Sequence, residues 1–216
     1  MRLLPVALAT ILPVAAQADL IYNSTFESGV IDPGWSTNAH LDQGTAFSRF
    51  MGRYSENTPT VLNNSVSLTI PRPTDDGTTG MPFTLLFDFY CLDNWHGNDP
   101  SSGPDRFEVF INSVNMFSYT FSNTSATQTF RAPDVGPAFL GFVSSYRDSI
   151  YRDIQIDFDP GTAPNIIFKW RSDGLTSVAS ESWGIDNVRI MHNIPTPGSL
   201  ALLGLSGLVA VRRRRR

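Results

Sequence analysis

The stretch from Leu92 to Asp105 holds the side chains best suited to binding a ligand. The candidates are an indole, an imidazole and three of its five carboxylate or amide groups: Trp95, His96, Asp93, Asn98 and Asp99. A tryptophan face can stack on a sugar ring while aspartate and asparagine bind its hydroxyl groups. One alternative is a cation bound by the acids and amides, Asp105 included. Another is a long loop that packs its own aromatic ring against the fold.

Catalytic machinery is harder to find in the sequence. The three histidines, His40, His96 and His192, lie outside Gly-x-Ser-x-Gly and His-Glu-x-x-His motifs. A carboxylate pair for glycoside hydrolysis stays open, because 20 acidic residues offer many pairs and their separation is invisible in a sequence. We therefore expect a non-catalytic protein, with a polysaccharide-acting hydrolase as the enzymatic alternative.

Two short motifs near the ends of the body form a recognisable pair. Residues 23–27 read Asn-Ser-Thr-Phe-Glu, and residues 186–188 read Asp-Asn-Val. The pairing resembles the jelly-roll domains shared by many carbohydrate-binding modules and MAM-like adhesive domains. The resemblance implies that Glu27 and Asp186 meet where the first and last strands pair and ligate a structural Ca²⁺. The alternative is that Glu27 caps a turn and Asp186 accepts hydrogen bonds from backbone amides.

The elements that must position these residues are short strands. Apolar side chains recur with a period of two over residues 66–70, 83–89, 107–111, 117–121, 154–158 and 166–170, and residues 185–190 supply a last strand. Clusters of Gly, Pro, Asn and Asp separate them, and residues 112–115 read as the turn of a hairpin. The pattern predicts an all-β fold of eight to ten strands, an antiparallel β-sandwich of the jelly-roll type. A single cysteine, Cys91, means that core packing or metal must hold the body together.

The N-terminus reads as a secretory signal peptide. Arg2 supplies the positive charge, residues 3–16 form an apolar stretch predicted as a signal helix, and Ala16-Gln17-Ala18 is a small-x-small cleavage site. Cleavage after Ala18 would leave Asp19 as the mature N-terminus. We therefore expect the body to be exported through the secretion machinery.

The C-terminus carries a second targeting segment. After a proline-containing hinge, residues 200–211 form an apolar run, and five arginines follow: Arg212, Arg213, Arg214, Arg215 and Arg216. Twelve helical residues span roughly 18 Å, short of the ~30 Å hydrocarbon core of a bilayer. The arginines favour the cytoplasmic side. The segment predicts a short transmembrane helix that leaves the body outside the membrane.

The order of hinge, apolar helix and arginine cluster resembles the PEP-CTERM sorting signal of bacterial envelope proteins. The matching hinge positions are Pro195, Thr196 and Pro197, with Thr196 where the family has glutamate. The resemblance implies that an exosortase-like membrane protease-transpeptidase processes the tail. An ordinary C-terminal tail anchor is the alternative.

The domain organisation follows from these segments. We predict a signal peptide at 1–18, a β-sandwich at 19–191, a linker with the Pro-Thr-Pro motif at 192–199, and the apolar helix with its arginine cluster at 200–216. Six of the 16 basic residues lie in the two targeting segments, so ten basic against 20 acidic residues give the body a formal charge of −10. This charge argues against nucleic acid as a partner.

The sequence as a whole predicts a protein of the cell surface or extracellular matrix, held in the membrane at least transiently by its C-terminal helix. Its expected role is structural or adhesive. A carbohydrate-binding module that uses the Trp95 loop is the alternative, with extracellular polysaccharide as its partner.

Overall fold

The computed structural model describes residues 17–56, 64–73 and 82–194, and this part of the chain contains strands and no helix. The eleven strands are β1 (Gln17–Ser24), β2 (Leu41–Gly44), β3 (Phe47–Tyr54), β4 (Ser65–Pro71), β5 (Phe83–Asp93), β6 (Arg106–Ile111), β7 (Val114–Thr120), β8 (Val135–Ala138), β9 (Asp148–Phe158), β10 (Asn165–Asp173) and β11 (Glu181–Ile194). None of the described residues belongs to a helix that could cross a bilayer.

The strands form two antiparallel sheets. The larger has seven strands in the order β2-β3-β11-β5-β9-β8, with β1 also paired to β11. The smaller has four strands in the order β4-β10-β6-β7. Strand β11 is the centre of the larger sheet, because it pairs with β1, β3 and β5 along its length.

Aromatic side chains fill the space between the two sheets. Phe89 of β5 lies 4.1 Å, centroid to centroid, from Phe107 of β6, and Trp183 of β11 lies 5.1 Å from the same ring. Phe87 contacts Trp170 of β10 at 6.1 Å. The sheets therefore pack face to face, and every second residue of a strand points into the shared core.

The all-β, antiparallel part of the sequence prediction is confirmed. The hairpin is present as well, with β6 and β7 joined by Asn112 and Ser113 at φ values of 47° and 70°. Positive φ at both positions is the geometry of a two-residue type I′ turn, which asparagine tolerates. Strands β2, β3 and β8 lack a clean alternation and are not predicted by the sequence pattern, whereas a first strand near residues 23–27 is implied by the jelly-roll resemblance. The jelly-roll description stays a prediction.

The C-terminal end of the sandwich differs from the predicted boundary. Residues 192–194 were assigned to a linker, but they continue β11, where His192 pairs with both Asp19 and Phe83. The His192 ring is 4 % exposed and stacks on Phe83 at 4.2 Å. Backbone pairing on both sides and ring burial explain why the strand extends this far.

Candidate functional site

Trp95 does not lie on the surface. Its indole is 0 % exposed and packs against Phe89 and Phe121 at 5.8 and 6.2 Å. The indole Nε1 donates a hydrogen bond of 2.8 Å to the carbonyl of Ser182. Because no face of the ring is accessible, it cannot stack on a sugar in this conformation. The loop packs its own aromatic ring against the fold, which was the alternative interpretation.

His96, the next residue along the chain, lies beside two carboxylates. Its Nδ1 lies 3.0 Å from Glu181 Oε1 and 3.6 Å from Asp105 Oδ2. The imidazole is 22 % exposed, while both carboxylates are buried. Burial raises the pKa of Asp105 to about 7, and the negative charge of Glu181 adds to the shift.

The other three residues predicted in this loop do not converge on a common site. Asp93 is buried and pairs with Arg53 at 2.8 Å. Asn98 accepts a hydrogen bond from the Thr120 hydroxyl at 2.8 Å. Asp99 caps a local turn by accepting bonds from the backbone amides of residues 101 and 102. Each side chain is thus used by its own neighbours, and their role in binding a ligand stays a prediction.

Glu27 and Asp186 lie near the expected junction, because β1 pairs with the C-terminal half of β11. The Glu27 residue is exposed. Asp186 is 1 % exposed, and its Oδ2 accepts hydrogen bonds from Ser48 and Tyr90 while its Oδ1 accepts one from the Asn187 amide. Burial raises its pKa to about 6.

These contacts satisfy both oxygens of Asp186 without a cation. Calcium binding by Glu27 and Asp186 therefore stays a prediction. A rise in melting temperature on adding Ca²⁺, lost in Asp186→Asn, would establish it, and equal melting with and without Ca²⁺ would remove it.

The processing signals fall at or beyond the edges of the described chain. Ala18 is an exposed residue of β1, paired with Asn193. The signal helix lies outside the described residues, and so do Pro195, Thr196, Pro197, the apolar run and the five terminal arginines.

The outer face of the four-stranded sheet carries a surface feature that sequence reasoning missed. A groove of about 240 Å³, here called the outer-sheet groove, is lined by six side chains: Ser67, Phe110, Ser113, Ile167, Lys169 and Arg171. Strand register builds it, because Ser67 pairs with Lys169 and Lys169 pairs with Phe110 across three neighbouring strands. Side chains directly opposite in such pairs share one face of the sheet.

Two cationic side chains, Arg171 and Lys169, set the charge of the groove. Arg171 donates from Nε and Nη2 to Glu108, which is 6 % exposed, and its guanidinium lies 5.2 Å from the Phe110 ring centroid. Glu108 also accepts hydrogen bonds from Asn115 and Ser118. Lys169, the single lysine of the chain, makes no ion pair within the described residues. Because Glu108 balances the charge of Arg171, Lys169 gives the groove its net positive charge on an acidic body.

One signal in the sequence could have found this face. Phe110 stands in the outward register of β6, alternating with the inward Phe107, Val109 and Ile111. Lys169, the single lysine of the chain, is the direct partner of Phe110 in β10, so an outward aromatic ring beside an outward cation marks this face.

Comparisons with known proteins give distant similarities. No protein-family model matches the sequence, and no curated protein matches it. One similar solved structure is dimeric latent PorU from Porphyromonas gingivalis, with a TM-score of 0.44 and 12% identity over 84% of this chain. This chain spans only 13% of PorU.

Two others are described as carbohydrate-binding modules. The CBM2 module of the evolved Dit of Lactobacillus casei BL23 phage J-1 has a TM-score of 0.41 and 11% identity, over 84% of this chain and 99% of its own. CBM28, a module specific for non-crystalline cellulose, has a TM-score of 0.40 and 14% identity, over 83% and 99%. Similarities this distant assign neither a ligand nor an activity to this chain.

Proposed function

We propose that this chain is an exported, non-catalytic protein whose β-sandwich binds an extracellular polysaccharide in the outer-sheet groove. The observation that carries the proposal is the composition of that groove. Phe110 and Ile167 offer apolar surface to the C–H face of a sugar ring, and two serines can donate to or accept from its hydroxyl groups. Such a mixture of apolar surface and few polar groups is typical of small-molecule sites.

The two cationic side chains define what kind of saccharide fits best. Lys169 and Arg171 act only as hydrogen-bond donors, so they favour hydroxyl and carboxylate oxygens as acceptors. The bonds to Glu108 hold Arg171 in place before a ligand arrives, which lowers the entropy that binding would cost. Glycans that carry carboxylate groups gain a charge interaction in addition.

Export and surface location belong to the same proposal and are supported by sequence alone. The segment ending at Ala18 would direct secretion, and the PEP-CTERM-like tail with Thr196 at its hinge would be received by an exosortase-like enzyme in the membrane. A body displayed in this way would meet polysaccharide of the cell surface or matrix. Turnover of a glycan by the purified protein would overturn the proposal that the protein is non-catalytic.

Replacing Phe110 by alanine is the direct test of the groove. We expect the dissociation constant for a glycan selected on an array to rise about 5- to 30-fold, the equivalent of roughly 1–2 kcal/mol of lost ring contact. The melting temperature should change little, because the ring lies on the outer face of its strand. Isothermal titration calorimetry and thermal melting measure the two effects.

Phe139 provides a matched control for this variant. It is exposed, at 63 %, and like Phe110 it lies beside an arginine, with the Arg147 guanidinium 5.6 Å from its ring centroid. Phe139→Ala should bind the glycan like the wild type. Equal loss in both variants would show that the groove is not the binding site, and the absence of any glycan ligand would remove the proposed function.

A further inference from the structure

Three polar side chains, two from the β5–β6 loop and one from β11, meet in the sandwich. His96 lies in the loop after β5, Asp105 immediately precedes β6, and Glu181 begins β11, 85 residues after His96. One potential ligand atom from each residue lies within 4.8 Å of the other two. We call this group the His96 cluster.

The cluster carries more negative charge than its surroundings balance. Asp105 is 0 % exposed and Glu181 is 2 % exposed, and His96 is the basic side chain that both carboxylates face. Asp105 Oδ1 is buried without a hydrogen-bond partner. A buried carboxylate oxygen without a partner is costly, so it calls for a cation or a proton.

Each of the three side chains is held through one atom and keeps another for a ligand. Glu181 Oε2 accepts hydrogen bonds from the amide and the hydroxyl of Thr176, which leaves Oε1 facing His96. Asp105 Oδ2 accepts from the His96 backbone amide, which leaves Oδ1. Outer contacts of this kind orient the ligands of metal sites.

The histidine is held in the same way. Asn94 Nδ2 lies 3.0 Å from its Nε2, so in this arrangement the amide donates to Nε2 and the Nδ1–H donates to Glu181 Oε1. A metal at Nδ1 would displace that proton, and rotation of the Asn94 amide by about 180° would let Nε2–H donate to the amide oxygen instead. Neutral imidazole with one nitrogen fixed by a neighbour is the usual state of a metal-binding histidine.

We propose that His96, Asp105 and Glu181 bind one zinc ion, through Nδ1 and one oxygen from each carboxylate. One nitrogen and two carboxylate oxygens are a ligand set that Zn²⁺ accepts, with water in the fourth position. The partial exposure of His96 gives that water access. Imidazole favours zinc over calcium, which prefers six to eight oxygens. The ion would fasten the loop after β5 to the start of β11 in a chain that has one cysteine.

The test is a zinc titration of the full-length chain after chelator treatment and removal of the chelator. We expect one zinc per chain, and a melting temperature raised by about 5–10 °C at a hundredfold excess over the dissociation constant. In the Asp186→Asn variant, which lacks the predicted calcium ligand, calcium at the same concentration should leave the melting temperature unchanged. Less than one zinc per chain in the wild type would overturn the proposal, whatever the variants do.

Two substitutions locate the ion. Glu181→Gln keeps an oxygen for both Thr176 bonds, and His96→Gln removes the nitrogen ligand; each should weaken zinc binding at least tenfold. His40→Gln, which removes an imidazole bonded to the Arg53 carbonyl, should bind zinc normally. Unchanged affinity in folded Glu181→Gln and His96→Gln would place the zinc elsewhere and refute the assignment. Glycan binding at the outer-sheet groove is measured separately and does not depend on this result.

Discussion

Replacing Arg53 by alanine will lower the free energy of unfolding by about 3–5 kcal/mol at pH 7.5. Arg53 Nη2 donates to Asp93 Oδ2 at 2.8 Å, and its Nε donates to the Ser182 hydroxyl at 2.9 Å. Since Asp93 is 0 % exposed, the variant would leave a buried carboxylate without its cation. Denaturant unfolding at fixed pH measures the change.

The loss of stability in Arg53→Ala will depend on pH, and the pKa of Asp93 determines the direction of that dependence. Burial raises its pKa to about 6, against the opposing effect of Arg53 and with a further upward contribution from Asp148. A folded-state pKa above the ordinary 3.8 means that the folded protein holds the extra proton. The contribution of Asp93 to the stability of the wild type is therefore lost as the pH rises from about 4 to 6.

Removing Arg53 will raise the pKa of Asp93 further and extend that loss to higher pH. We therefore expect Arg53→Ala to be less destabilising at pH 4 than at pH 7.5. An equal loss at both values would show that packing around the guanidinium, rather than the unpaired charge, is responsible.

Arg189 serves as the control, because its ion pair with Asp153 is exposed to solvent, with side-chain exposures of 38% and 66%. Exposed ion pairs contribute about 0.2–1 kcal/mol. Arg189→Ala should stay within that range at both pH values. A loss as large as that of Arg53→Ala would contradict the role assigned to burial.

Trp95→Ala is expected to cost about 3–5 kcal/mol of stability, the range for deleting a buried aromatic side chain. The indole fills space beside Phe89 and Phe121, and its hydrogen bond to the Ser182 carbonyl would be lost too. Denaturant unfolding again gives the measurement. Phe139→Ala, which removes an exposed ring, should change stability by less than about 0.5 kcal/mol.

The same variant separates folding from binding. Because Trp95 is buried away from the outer-sheet groove, the fraction of Trp95→Ala that remains folded should bind the glycan with wild-type affinity. Near-normal stability combined with lost glycan binding would restore the original interpretation of Trp95 as a sugar-stacking residue.

The case of Trp95 shows where sequence reasoning ends. Strands with strict alternation, such as β4 and β10, could be predicted because each residue's face follows from its position. A loop has no such period. In the loop after β5, the backbone amide of Asn98 bonds to the Thr127 carbonyl and that of Asp105 bonds to the Gly97 carbonyl, and these bonds fold the loop inwards. No local sequence pattern encodes the bond between Asn98 and Thr127.

The His96 cluster and the outer-sheet groove also have parts that the sequence predicts and parts that it does not. His96 could be singled out from its chemistry and its polar neighbours, but its partner Glu181 is 85 residues away and becomes visible only once β11 is placed beside β5. The groove depends on register across β4, β10 and β6, which is a property of strand pairing. Sequence alternation indicates which residues face outward but not which of them become neighbours.

The position of β11 has a mechanical consequence. Its last residues lie between β1 on one side and β5 on the other, so Ile194 ends an interior strand rather than an edge strand. Tension applied at Ile194 along the strand would load hydrogen bonds on both flanks together, in shear, instead of peeling them one at a time. A pulling force applied at the C-terminal end along β11 would thus meet the greatest resistance to unfolding.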